Sequence, residues 1–135
     1  MVADVEVDNS GILWIAATGE GIFSYRFDTN KLTNYRHDGT QAHSLSNNNV
    51  NNIMQDSKGN LWFSTSGSGL DLYRSATNDF ENFDKGKNGL VSDCIYDTQE
   101  SPVSGKLILI TNQASPSSIR KWKSFRTTAW RMVSH

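Results

Sequence analysis

The stretch Asp56-Ser57-Lys58-Gly59-Asn60-Leu61-Trp62-Phe63-Ser64-Thr65-Ser66-Gly67-Ser68-Gly69 decides the reading of this chain, because the chain contains it twice. Forty-eight residues earlier stands Asp8-Asn9-Ser10-Gly11-Ile12-Leu13-Trp14-Ile15-Ala16-Ala17-Thr18-Gly19-Glu20-Gly21. Extended over residues 5–35 and 53–83, the match gives 11 identities in 31 positions, mostly Gly, Trp, Tyr, Asp and Asn. A fixed period in this range marks a repeat architecture.

Each copy reads as four short strands. Asp56-Ser57-Lys58-Gly59 is a turn, with Asp accepting from nearby backbone N–H groups and Gly supplying positive φ. Leu61 to Thr65 is a strand without a polar face, which requires burial on both sides. Ser66 to Gly69 turns again, Leu70 to Arg74 is a third strand, and Phe80 to Phe83 is an edge strand. Short strands with Gly-rich turns at this spacing mean an all-β fold, and four strands per repeat make the blade of a β-propeller. Trp14 and Trp62 are read as packing between blades, with ligand stacking as the alternative; Trp14 is expected to be the less covered of the two if its blade is outermost.

Residues 2–44 are assigned to a first blade and 45–87 to a second. Residues 88–113 form a partial third: Val91 to Asp97 aligns with Val50 to Asp56, and Gly105-Lys106-Leu107 with Gly59-Asn60-Leu61 after an insertion of Glu100 to Ser104. Four such units exceed the 135 residues available, and a propeller needs at least about four blades. The chain is therefore not expected to close a propeller alone, and further blades or self-association are expected to cover its ends.

Residues 114–135 lack turn glycines and reverse the charge. Residues 1–100 hold all 14 acidic and 7 of the 13 basic residues, whereas 101–135 hold six basic residues and no acid. Three readings stand for this basic tail: a disordered or out-of-pattern end, a helix or strand capping a sheet edge, or a nucleic-acid contact through Trp122, Phe125, Trp130 and their basic neighbours. The acidic body opposes a polyanion, and no nucleic acid is expected as partner.

The single cysteine, Cys94, excludes an internal disulfide and is read as a small buried residue in a strand. No apolar run reaches the ~18 residues that span a bilayer, and Asp4, Glu6 and Asp8 interrupt any leader-like start. Candidate ligand-binding residues are Arg36, His37, Asp38 and His43, in the polar connection 36–49. His37 and His43 have no strong third ligand nearby, so neither a metal nor another cofactor is expected, and no catalytic constellation is present.

The pattern Val/Ile-x-x-x-Asp-x-x-Gly-x-Leu-Trp-Ile/Phe, followed by Gly-Ile/Leu and a Tyr-containing strand, resembles the two-component regulator propeller repeat. The resemblance covers residues 2–83 well and 91–111 in part. It implies the extracytoplasmic, periplasmic sensor propeller of hybrid histidine kinases, notably those of gut Bacteroidetes that detect oligosaccharides. Two alternatives stand beside this non-catalytic sensing role. One is a structural or protein-interaction propeller fragment without activity of its own. The other is a propeller lyase, which needs a His/Glu acid–base pair.

Overall fold

The computed structural model describes residues 1–90 and 92–111 and the backbone of 123–126 and 132–134. The first sheet contains β1 (Val2–Val7), β2 (Leu13–Ala17), β3 (Gly21–Arg26) and β4 (Lys31–Tyr35) in sequential antiparallel order. The second contains β5 (Val50–Gln55), β6 (Leu61–Thr65), β7 (Leu70–Arg74) and β8 (Asp79–Phe83), again in order. A helical turn, α1 (Lys85–Asn88), is capped by Asp84, whose side chain accepts from Lys87 N. The third sheet orders β9 (Ile95–Glu100), β10 (Lys106–Thr111), β11 (Lys123–Arg126) and β12 (Met132–Ser134) from one edge to the other. The all-β, blade-like architecture is thus as expected, and the sheets do not close into a ring.

The repeated aspartate explains why the motif is spaced as it is. Asp8 accepts from Ser10 N and Ile12 N through one oxygen, at 2.8 and 3.0 Å, and from the Trp14 indole N–H through the other, at 2.8 Å. Asp56 does the same with Lys58 N, Asn60 N and the Trp62 indole, each at 2.9 Å. One carboxylate therefore builds the turn and satisfies the only polar atom of a buried indole. The second glycine of each Gly-x-Gly turn is equally constrained. A Cβ on Gly21 would lie 2.1 Å from Tyr35 O, and one on Gly69 2.1 Å from Phe83 O, both at positive φ.

Two apolar layers separate the three sheets. Trp14, Ala16 and Ile22 of the first sheet pack with Ile53, Leu61, Phe63 and Phe80 of the second. Trp62, Leu70, Leu72 and Phe83, on the other face of the second sheet, pack with Ile95, Leu107 and Leu109 of the third. Each Trp thus faces the following blade, and every residue of β6 is buried. Trp14 is as covered as Trp62, at 1% and 0% exposure. Its blade is outermost, but its indole points inward.

Polar links repeat across the layers. Asp4 accepts from Ile53 N at 2.8 Å, and 48 residues on, Asn52 accepts from Thr98 N at 3.3 Å. Gln55 accepts from Asn9 N, and Glu100 from Ser57 N. These pairs place Glu100 where Gln55 stands. Ile95–Glu100 therefore occupies the place of Val50–Gln55, four residues later than the alignment of Val91 to Asp97 implied. The turn closed by Ser101 N donating to Lys106 O is one residue longer than that closed by Asp56 N and Asn60 O. Cys94 accordingly lies just before β9, half-buried, in an isolated bridge with Ser66. It is not in the strand.

The third sheet also reaches beyond residue 113. Leu107 pairs with Phe125, and Phe125 with Met132, so two backbone segments of the basic tail complete a four-stranded sheet. Turn glycines marked the earlier strands, and this stretch has none. A strand pairs through backbone groups that any non-proline residue carries.

Candidate functional site

The connection 36–49 crosses from the first blade to the second and is pinned by apolar, side-chain and backbone contacts. Leu45 inserts into the apolar layer at 1% exposure. Ser46 donates its backbone N–H and its hydroxyl to one oxygen of Asp71, each at 2.9 Å. His43 O accepts from Phe80 N, supplying the edge strand β8 with an acceptor. Residues 44–48 of the loop are thus part of the folded body, while 36–43 are exposed. Asp71 is buried within β7 and also accepts from Asn82 Nδ2 at 2.8 Å. Burial pushes its carboxyl up to about 6 against the pull of those hydrogen bonds.

Three of the four candidate residues meet at one cleft. Arg36, Asp38 and His43 line a space of about 610 Å³ with Tyr35, Asn78, Asp79 and Phe80. His37 does not join them; it lines a neighbouring cleft of about 320 Å³ with Ser46, Asn82 and Lys87. Its imidazole serves the loop, since Nδ1–H donates to Leu45 O at 2.9 Å while its backbone N–H donates to Asn48 Oδ1. Arg36 pairs with Glu20 at 3.0 Å, both well exposed, an arrangement that contributes little to stability.

The carboxylates of the larger cleft are acceptors. The Thr40 hydroxyl and N–H hold the Asp38 carboxyl below its ordinary range. Arg74 grips Asp79 through two bonds of 2.8 and 2.9 Å and lowers it in the same way. Groups ionised in this manner at neutral pH accept hydrogen bonds and do not deliver protons. Asn78, at φ 55°, is held by the hydroxyls of Tyr35 and Tyr73, which both donate to its Oδ1 at 2.8 and 2.7 Å. The cleft therefore offers fixed acceptors, an amide and a guanidinium beside aromatic rings. Such a set suits a ligand rich in hydroxyls.

Sequence reasoning missed Asn78, Asp79 and Phe80 as partners of the loop. The periodic Tyr73 and Asn78 were legible as repeat residues, but nothing in the spacing brings them under a loop that ends at Asn49, 24 and 29 positions earlier. Among the described residues no three His, Cys, Asp or Glu side chains gather as a metal site. No helix among them is long and apolar enough to cross a membrane.

Comparison with known proteins places this geometry. Residues 44–67, which contain the second half of the connection and strands β5 and β6, match the family described as two component regulator propeller. Among solved structures, the extracellular domain of the hybrid two component system BT3049 from B. thetaiotaomicron superposes with a TM-score of 0.82 at 19% identity, over 99% of this chain and 18% of that one. The extracellular domain of BT4673 from the same organism gives 0.75 at 19% identity, over 98% of this chain and 18% of that one. Virginiamycin B lyase from Staphylococcus aureus gives 0.68 at 14% identity, over 99% of this chain and 41% of the lyase. No curated protein sequence matches. The chain spans about a fifth of the length of the two B. thetaiotaomicron domains. The chain is thus similar to propeller domains in fold, with stacked four-stranded blades and a repeated Asp–Trp turn, and its residues 44–67 match the two component regulator propeller repeat.

Proposed function

We propose that this chain is a non-catalytic, ligand-sensing propeller segment of a two-component sensor, working outside the cytoplasm, and that its ligand is a polar oligosaccharide. The observation that carries the reading is the pinned connection 36–49. It walls a cleft of about 610 Å³ with Arg36, Asp38 and His43 opposite Asn78 and Asp79, with Tyr35 and Phe80 alongside. A rigid scaffold that presents polar loop residues is the usual way a repeat fold binds a ligand. The regulator-propeller match at 44–67 and the likeness to extracellular domains of two-component systems support the setting.

Calorimetry of the chain against plant, host and microbial glycans tests it. Binding of a glycan that is lost when residues 36–49 are replaced by a Gly/Ser connection of equal length supports the reading. A glycan response unaffected by the replacement, or binding of apolar ligands alone, would overturn it.

A further inference from the structure

The two blades differ where their sequences are otherwise in step, and the difference opens a second cleft. On the face that each blade turns to the next, β7 and β8 present Leu72, Arg74, Asp79 and Glu81. The 48-residue period places Ser24, Arg26, Lys31 and Thr33 at the same positions of β3 and β4. In the second blade Arg74 and Asp79 face each other across the strands and form a two-bonded ion pair. In the first, Arg26 faces Lys31 in the same register, and among the described residues neither has an ionic partner. Like charges opposite one another on neighbouring strands cost stability.

These residues line a space of about 310 Å³ that reaches the edge of Trp14 and the rings of Tyr35 and Tyr73. Ser24 lies on its wall, with only 7% of its surface exposed. Its hydroxyl finds no hydrogen-bond partner among the described residues, although Leu72 at the same position of the second blade is part of the apolar layer. The Asp8 carboxylate beside Trp14 is already engaged by the indole and two backbone N–H groups. The cleft thus joins two unneutralised cations, a free hydroxyl open to the cleft and aromatic walls.

We propose that this cleft binds an anionic group, a carboxylate or sulfate, carried on a saccharide. Arg26 offers a planar fork to two oxygens, Lys31 adds a second positive charge, and Ser24 donates from the wall. Thr33 and Asn78 remain for sugar hydroxyls, and the ring edges for the sugar face. The saccharide part of this inference rests on the functional reading above; the anion part rests on the blade-to-blade comparison alone.

The experiment is calorimetry of the full chain with a uronate-containing oligosaccharide, a sulfated one, a neutral one of equal length, and inorganic sulfate. It is repeated in the variant Lys31→Asp, which restores the ion-pair pattern of the second blade and so keeps the fold. The expected result is binding of the acidic saccharides that weakens at least tenfold in Lys31→Asp and falls with added salt. Neutral saccharide binding, which reports the larger cleft, stays unchanged in that variant. Equal binding of acidic and neutral sugars, acidic-sugar binding untouched by Lys31→Asp, or inorganic sulfate binding as tightly as the saccharides would each overturn the proposal. If no acidic sugar binds while a neutral one does, the anion site fails and the sensing role stands. If inorganic sulfate alone binds, the saccharide reading fails instead.

Discussion

At the residue scale, the indole–carboxylate pair and Asp71 carry the sharpest consequences. Trp14 and Trp62 are both enclosed, so Trp14→Ala and Trp62→Ala should each destabilise by about 3–5 kcal/mol in urea unfolding. A cost for Trp14 near zero would contradict its place in the layer. Asp56→Ala should also be severe, because it strands the Trp62 N–H and two turn amides at once. Asp71 acts through pH. Its folded-state carboxyl is raised to about 6 from the ordinary 3.8, so the stability tied to its proton is complete below pH 4 and is lost as pH rises through 6. The loss should approach ~3 kcal/mol between pH 4 and 7.5. Asp71→Asn should flatten that part of the pH profile. An unchanged slope in the variant would assign it to another group.

At the element scale, the connection 36–49 behaves as a fitted part. Replacing Leu45 by Ser should loosen the connection at its apolar anchor, costing about 2–4 kcal/mol and raising amide exchange at Phe80, whose partner is His43 O. Protection at Phe80 equal to that of the parent chain would mean that the loop holds without its anchor. These anchors also show what the sequence could and could not reveal. The strands of the first two blades were legible because Asp, Gly and Trp punctuate them at a constant period. The Ser46–Asp71 link was not, because its partners lie 25 residues apart with no pattern joining them. The register of β9 was misread by four residues because Val91-Ser92-Asp93 imitates the start of β5, whereas the true match rests on Glu100 reaching Ser57. A strand against the sheet edge was one of three readings of the tail, but without turn glycines the sequence did not mark 123–126 and 132–134 as the segments that pair. Arg36, Asp38 and His43 became candidates because polar loops draw attention, and that they line one cleft emerges only from the fold; Ser24 and Lys31 stand out only when two folded copies are compared.

At the scale of the whole molecule, the face that the first blade turns away from the second is open. Val5 and Leu32 are 49% and 60% exposed, while Ile53 and Phe80 at the same positions of the second blade are buried at 2% and 3%. With Val2 and Val7, also more than half exposed, they form an apolar face of the kind that associates. The isolated chain should therefore self-associate in sedimentation velocity as its concentration rises, and Val5→Lys with Leu32→Lys should return it to a monomer. A parent chain that stays monomeric at all concentrations would show this face to be tolerated by water. The placement of β6 carries a different consequence. Its side chains belong alternately to two separate apolar layers, Leu61 and Phe63 to one and Trp62 to the other. Among the described residues the first and third sheets lean on the second through different apolar layers, so loss of structure should run from the ends inward. In hydrogen exchange the amides of β6 should be the last to open, and destabilising one terminal sheet should leave protection in the opposite one intact. The middle blade would then be the unit whose persistence decides whether either neighbour can re-form.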